Sequence, residues 1–370
     1  MPEKAKPRDW APRVWEGADY FAWLRMFLRN RAAVEPPYWY IAGILACTTF
    51  ANTAFRWLQE SRYGRAIDDV RFPADPIFVL GHWRSGTTLL HELLILDERF
   101  ASPTTLQCFA PCHFLLSEQF FREYLWFCVP EKRPMDNMAV GWDRPQEDEF
   151  ALALLGQPST YTDLAFPNRP SLFPGALDLS GLTPRELASW KRTFVRFLKA
   201  VTLRDPRRLV LKSPPHTARV PVLLELFPNA KFVHITRDPV VLFASTVNLW
   251  HALAKAHGLQ TPRMTEAVEE RVFREFRTMF ERLEAAKPSI PAGNYVEVRY
   301  DDLTRDMVGE TEKIYAGLGL GGFDAARPRL EEYAASNRNY ERNRWDIPTE
   351  TRAKVQERWG DWIEKLGYAT

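Results

Sequence analysis

Pro76-Ile-Phe-Val-Leu-Gly-His-Trp-Arg-Ser-Gly-Thr-Thr-Leu-Leu90 reads as a strand, a tight loop and the first turn of a helix. Ile77–Leu80 is a short, uninterrupted apolar run, the pattern of a strand buried on both faces. Gly81 and Gly86 bracket the loop, and Thr87 and Thr88 open the helix. Backbone N–H groups at such a helix start point at an anion, and the helix dipole adds to the attraction. Glycine lets the backbone approach phosphate oxygens that a Cβ would block. The stretch is therefore expected to hold a phosphate.

Gly81 and Gly86 have the spacing of a Walker A loop, G-x-x-x-x-G-K-[ST]. However, Thr87 stands where the lysine belongs, and that lysine normally reaches the β- and γ-phosphates. Its absence speaks against ATP or GTP hydrolysis. The loop carries its cation before the second glycine instead, at Arg84, which suits a smaller phosphate approached from another direction.

Outward from this loop the chain reads as α/β. Further buried-strand runs are Leu209–Leu211, Lys231–Ile235 and Tyr295–Val298, and helical stretches follow at Thr87–Leu96, Thr217–Phe227 and Val240–Ala256. Strands alternating with helices imply a parallel sheet with crossovers. Residues 1–70 form an expected N-terminal helical extension and 71–370 the main domain. An aromatic- and proline-rich insertion over about 99–208 is of the kind that shapes a ligand site.

Composition excludes little but directs the search. Hydrophobic residues make 46% and charged residues 26%, ordinary for a soluble globular chain. The net charge of +2 gives no footprint for nucleic acid, so an anion site must be built locally. Cys47, Cys108, Cys112 and Cys128 do not read as a disulfide framework in so long a chain. Cys108, Cys112 and His113 lie close together, but with no second ligand pair at a zinc spacing they read as packing. The polar opening MPEKAKPRDW lacks the apolar core of a signal peptide, which makes the cytoplasm the expected compartment.

Pro36–Phe55, PPYWYIAGILACTTFANTAF, carries no charged side chain and approaches the length of a membrane span. Thr48, Thr49, Asn52 and Thr53 are poor choices for lipid exposure. A buried helix packed on the core is therefore the first reading, an interfacial membrane helix the second and a true span the third. Arg56, Arg62 and Arg65 would suit an anionic leaflet and equally suit solvent.

Three junctions together carry a resemblance. Arg84-Ser-Gly-Thr-Thr88 resembles the 5'-phosphosulfate loop of sulfotransferases that use 3'-phosphoadenylyl sulfate (PAPS). Lys231-Phe-Val-His-Ile-Thr-Arg-Asp-Pro239, with Ser245 eight residues after Arg237, is similar to their 3'-phosphate motif. Val298-Arg-Tyr-Asp-Asp-Leu303 resembles a segment of protein-tyrosine sulfotransferases whose tyrosine lies near the nucleotide. The likeness is to bacterial-type sulfotransferases, runs over residues 76–303, and extends loosely to Asn337–Trp345. It implies a P-loop-like three-layer α/β fold with a central parallel sheet. It also implies PAPS as co-substrate with no obligatory metal, held by Arg84, Ser85, Gly86, Thr87, Thr88, Arg237, Ser245 and Tyr300.

Sulfonate transfer needs a base for the acceptor's proton and cations for the leaving oxygen and the sulfonate. Leu211-Lys-Ser-Pro-Pro-His216 through Leu226-Phe-Pro-Asn-Ala-Lys-Phe232 resembles the region of the tyrosine sulfotransferases that holds a catalytic lysine. The resemblance gives Lys212 the sulfonate and Arg84 the bridging oxygen; the plainer reading of Lys212 is a surface charge. Those enzymes place a base glutamate soon after the loop helix, where this chain has Ala101-Ser-Pro-Thr-Thr-Leu106 and no carboxylate. The nearest acids are Pro145-Gln-Glu-Asp-Glu-Phe-Ala-Leu152. If helical, their carboxylates fan outward, so that one faces a site and the others water. Glu147 is the first candidate base, then His216, with Asp148 and Glu149 behind. The plainer readings are a solvated helix start for the acids and a helix-opening residue for His216.

Phe109, Phe114, Phe120, Phe121, Tyr124, Trp126, Phe127, Tyr161 and Phe166 crowd the insertion. They favour a hydrophobic alcohol, a small molecule or lipid, over a charged polysaccharide. A P-loop nucleotide kinase and a non-catalytic nucleotide-binding membrane scaffold are the competing functions. Peripheral membrane contact through 36–55 is the further partner considered.

Overall fold

The computed structural model describes residues 12–125, 141–263, 266–337 and 347–368. Trp126, Phe127, Cys128 and nearly all of the tail near Asn337–Trp345 lie outside the described residues. The chain opens with α1 (Tyr20–Arg29) and the long α2 (Trp39–Asp69), then β1 (Ile77–Leu80) and α3 (Thr87–Ile95). The insertion supplies β2 (Phe100–Ala101), α4 (Thr105–Phe109), α5 (Phe114–Tyr124), α6 (Asp148–Leu154) and α7 (Pro184–Arg204). Then come β3 (Arg208–Lys212), α8 (Val220–Leu226), β4 (Lys231–Thr236), α9 (Pro239–His257) and α10 (Glu266–Ala286). The chain ends with β5 (Tyr295–Arg299), α11 (Tyr300–Arg305), α12 (Met307–Gly317), α13 (Phe323–Ser336) and α14 (Thr349–Lys365).

All the strands pair in parallel, in the order β2-β3-β1-β4-β5. β1 sits at the centre, with Ile77 opposite both Val210 and Lys231. Alternate side chains feed two separate cores, one on each face. Phe78, Leu80, Leu209, Leu211 and Phe232 enter the larger, while Ile77, Val79, Val210, Val233 and Ile235 enter the smaller. This is the three-layer α/β arrangement, and it explains why these strands read as continuous apolar runs.

β2 went unread because two residues leave no periodicity. The helix expected over Thr217–Phe227 is broken: a 3-10 turn covers Pro214–Ala218 and α8 starts only at Val220. Pro221 has no N–H to bond the carbonyl a turn earlier, so one continuous helix cannot form. Val14, Trp15, Trp23, Met26, Ile41, Leu45 and Ile67 from the N-terminal helices all join the larger core. No helix among the described residues is long and apolar enough to cross a membrane.

The loops that matter gather at the carboxyl ends of the strands. Connections leave β1 and β4 toward opposite sides of the sheet, and a crevice opens at such a switch point. The glycine loop follows β1, Lys212 ends β3, Arg237 follows β4 and Tyr300 follows β5.

One buried ion pair anchors the insertion to this edge. Arg219 and Glu149 are both fully buried, with Nη1–Oε2 at 2.5 Å and Nη2–Oε1 at 3.0 Å. Arg219 also donates to the carbonyls of Leu177 and Ala176 and lies over the Trp190 ring. Arg219→Met strands Glu149 without its cation and should destabilise the fold by roughly 3–5 kcal/mol in urea unfolding. The double replacement Arg219→Met, Glu149→Leu should cost less, because no buried charge is then left uncompensated.

Candidate active site

The glycine loop is tightly wound. Gly81 and Gly86 have φ of 149° and 102°, and Arg84 itself sits in the left-handed region at 69°. A Cβ on Gly86 would stand 2.3 Å from the Tyr300 ring, so glycine is required there by both conformation and space. Ser85 Oγ donates back to the His82 carbonyl at 2.7 Å, and the Gly81 N–H donates to Thr217 Oγ1 at 2.8 Å. The loop is thus closed by its own hydroxyl and tied to the segment after β3. No side chain caps α3, and an uncapped helix start of this kind suits an anion. His82 is fully buried; burial pushes its imidazole down to about 4, so it remains neutral.

Four of the residues singled out from the sequence converge here. Arg84 Nε donates to Ser245 Oγ at 2.9 Å, and Arg237 Nη1 donates to the Arg84 carbonyl at 2.9 Å. The Arg237 guanidinium stacks 4.2 Å from the Tyr300 ring centre. Local chemistry frees Arg237 for this: Asp238 caps α9, accepting from the Val240 N–H at 2.8 Å, and Pro239 takes the first helical position. Burial sets Arg237 below its ordinary value, with the Arg84 charge adding to the effect and Tyr300 opposing it. The Ser245–Arg84 bond ties α9 to the loop. Thr87 is buried at the start of α3, and Thr88 beside it is half-buried.

The second cluster lies at the end of β3. Lys212 is buried, and its Nζ meets Glu147 Oε1 at 2.5 Å. Asp148 Oδ2 meets His216 Nε2 at 2.7 Å, and Ser213 donates to Asp148 Oδ1 at 3.0 Å. Glu149 pairs with Arg219 as described. Three successive acids are therefore matched, one by one, to the run that leaves β3. Burial works against the Asp148 charge, but His216 and Ser213 outweigh it and hold its carboxyl below the usual range.

This corrects the expectation that the acids fan outward. Asp148 and Glu149 face neither site nor water: both are fully buried and fully engaged. His216 is likewise enclosed, between the Phe78 and Phe194 rings, and lies in a 3-10 turn rather than opening α8. Lys212 is not a surface charge. Glu147 alone among the three acids keeps solvent contact, its side chain 14% exposed, from the N-cap position of α6.

Sequence reasoning missed Tyr161 and Trp83. The Tyr161 hydroxyl donates to Glu147 Oε2 and accepts from Trp83 Nε1 at 2.9 Å. Burial, and after it the Glu147 carboxylate, push the phenol well above its ordinary value, which keeps it a proton donor. By sequence Tyr161 is one more aromatic of the insertion. Its ring does stack on Phe150, with centroids 4.5 Å apart. Of the other insertion aromatics, Phe114 and Phe166 are buried, whereas Phe120 and Tyr124 are exposed. His113 is held by Asn52 and Ser117, apart from any role with Cys108 or Cys112.

A family model described as "Sulfotransferase family" matches residues 76–325. The omega-hydroxy-beta-dihydromenaquinone-9 sulfotransferase Stf3 of Mycobacterium tuberculosis is 41% identical over 361 residues, covering 98% of this chain and 92% of that protein. Human carbohydrate sulfotransferase 6 is 26% identical over 278 residues, 70% of this chain and 66% of its own. Among solved structures, sulfotransferase STF9 from Mycobacterium avium shares the fold with a TM-score of 0.67 at 18% identity, covering 98% of this chain and 99% of its own. The family match spans the loop, both charge clusters and the β4 and β5 junctions, and the chain belongs to the sulfotransferase family.

Proposed function

We propose that this sulfotransferase moves the sulfonate of PAPS to the hydroxyl of a hydrophobic, lipidic acceptor, with Glu147 as base and Lys212 on the transferring group. The observation that carries the reading is the meeting, at one sheet edge, of a cation-lined glycine loop and a Lys212–Glu147 pair. Family membership displaces both the kinase and the non-catalytic scaffold.

The glycine loop, the first turn of α3 and Arg84 take the 5'-phosphosulfate, with Ser85, Gly86, Thr87 and Thr88 as its backbone and hydroxyl donors. Arg237 and Ser245 take the 3'-phosphate, and Tyr300 floors the Arg237 guanidinium. In transfer, the acceptor oxygen forms a bond to sulfur as the bond from sulfur to the bridging phosphate oxygen breaks. The acceptor's proton passes to Glu147, and adenosine 3',5'-bisphosphate leaves. Lys212 and Arg84 offset the charge that grows on the sulfonate and bridging oxygens. Tyr161 is a positioning residue, holding one Glu147 oxygen from below. The acid placement supports Glu147 over His216 as base, since His216 is enclosed.

The acceptor class draws on the aromatic-rich composition of the insertion and on the Stf3 relative, whose name gives a menaquinone-derived substrate. Peripheral membrane contact through 36–55 fits a substrate of that kind.

Arg237→Ala should weaken adenosine 3',5'-bisphosphate by on the order of 2 kcal/mol, about thirtyfold, in calorimetric titration. Adenosine 5'-monophosphate, which lacks the 3'-phosphate, should lose far less. An equal loss for both nucleotides would remove the 3'-phosphate from Arg237.

Lys212→Ala should depress kcat strongly while nucleotide affinity stays within a few fold, because it acts on charge that develops in the transition state. Glu147→Gln should lower the rate with an aliphatic alcohol by about 10²–10⁴-fold. With an acidic phenol at high pH the loss should shrink, since that nucleophile is already ionised. Near-normal rates for Glu147→Gln with the alcohol would place the base elsewhere.

A further inference from the structure

α2 is amphipathic in the inverted sense. A surface helix normally turns its apolar stripe to the core and its polar side to water. Here the inward side of its middle turns is polar, and each group bonds to protein. Asn52 donates to the carbonyls of Glu16 and Ala18, and its Oδ1 faces His113 Nε2 at 3.1 Å. Thr53 donates to Asp19, Thr49 to the Leu45 carbonyl, and Gln59 accepts from the Leu115 N–H. The outward side carries Tyr40, Ile44, Phe50, Trp57 and Leu58, with Tyr40, Phe50 and Trp57 exposed by 64, 67 and 66%. Gly43, Cys47, Ala51 and Ala54 fill the gaps between them. The one charged residue between Trp39 and Leu58 is Arg56, and it turns in to Asp19 at 3.0 Å. At 1.5 Å per residue this apolar face is about 30 Å long.

The packed and interfacial readings of Pro36–Phe55 are therefore not alternatives. Of the four residues that argue against lipid, Thr49, Asn52 and Thr53 pack inward, and Thr48, half-buried, returns its hydroxyl to the Ile44 carbonyl at 3.1 Å. The face continues onto α1, where Phe21 and Leu28 are exposed and the Tyr20 ring touches both Phe21 and Phe50.

Charge selects the occupant. Arg25, Arg29 and Arg31 on and just after α1, and Arg62 and Arg65 on the last turns of α2, are all exposed. Between residue 20 and the end of α2 the acids are Glu35, Glu60, Asp68 and Asp69; protein engages the first three, Asp68 through Arg196, so Asp69 alone offsets the five exposed arginines. Glu35 accepts from the Thr261 N–H, and Glu60 pairs with Arg196. An apolar face fringed by arginines and short of free carboxylates matches acyl chains beneath anionic headgroups. We propose that the outward side of α2, with the adjoining side of α1, docks on an anionic lipid bilayer, the helix lying in the interface plane. This deepens the lipidic-acceptor reading: docking would bring the sulfonating site to a membrane-held alcohol. The surface itself rests on the exposed residues and charges alone.

The full chain should co-float with vesicles of phosphatidylcholine and phosphatidylglycerol, and bind much less to phosphatidylcholine alone or at high salt. The triple variant Phe50→Ser, Trp57→Ser, Leu58→Ser should lose at least tenfold in vesicle affinity. Arg62→Glu with Arg65→Glu should lose about twenty-five-fold or more, at roughly fivefold for each cation removed from an anionic surface. Both variants replace exposed residues and should keep the parent melting temperature and its rate on a water-soluble alcohol. Three results would overturn the proposal. They are no binding to anionic vesicles, equal binding to neutral ones, or a solution dimer that the triple variant dissociates, which would give the face to a second copy. A chain that binds vesicles but sulfonates no lipid alcohol would instead sink the acceptor reading and leave the docking surface standing.

Discussion

The site depends on a paired run of side chains at the end of β3. Glu147, Asp148 and Glu149 meet, in order, Lys212, Ser213 with His216, and Arg219. Two of these contacts are completely buried, where an unmatched charge is costly, so the insertion can lie on the sheet in only one register. Ser213 Oγ marks the register at both ends, donating to Asp148 and accepting from the Glu149 N–H. The inner pairs fix α6 and thereby set its N-cap residue, Glu147, against Lys212. The Lys212–Glu147 pair is thus held by neighbours that are wholly buried.

Much of the sheet is legible in the sequence because its signals are local. Ile77–Leu80 was bounded to the residue, and β3, β4 and β5 differ by one residue at one or both ends. The convergence of Arg84, Ser245, Arg237 and Tyr300 has local signals too, since Arg84, Arg237 and Tyr300 stand at strand-to-helix junctions and Ser245 follows on the helix after β4. The acid ladder was not, because a hydrogen bond between residues 65 positions apart has no period. The sequence shows three adjacent carboxylates; only the packed chain shows that two are structural and one keeps contact with water.

The same limit explains α2 and Tyr161. Apolar residues mark a helix face equally well whether that face meets protein or lies outside it. Deciding between them requires knowing which acceptors Asn52 and Thr53 reach, and those are the Glu16 and Ala18 carbonyls and the Asp19 carboxylate. Tyr161 shows the converse. As one aromatic among many it reads as core, and its ring is core, but its hydroxyl sits where the two clusters join.

That junction is made by two adjacent residues of the glycine loop. The Trp83 indole donates to Tyr161 and so supports Glu147, while the Arg84 guanidinium donates to Ser245 beside Arg237. A regular strand would also send neighbouring side chains apart, but it would carry the backbone away from the helix that must follow. The left-handed turn at Arg84 keeps the divergence and still lets the chain curl into α3. Such a conformation persists only where surrounding contacts hold it, and here Ser245 holds the side chain while Arg237 holds the carbonyl. The two clusters are therefore linked through one peptide unit of the loop, the stiffest link the chain can offer. Transfer chemistry rewards that stiffness, because reacting groups displaced by about 1 Å lose on the order of 10²-fold in rate.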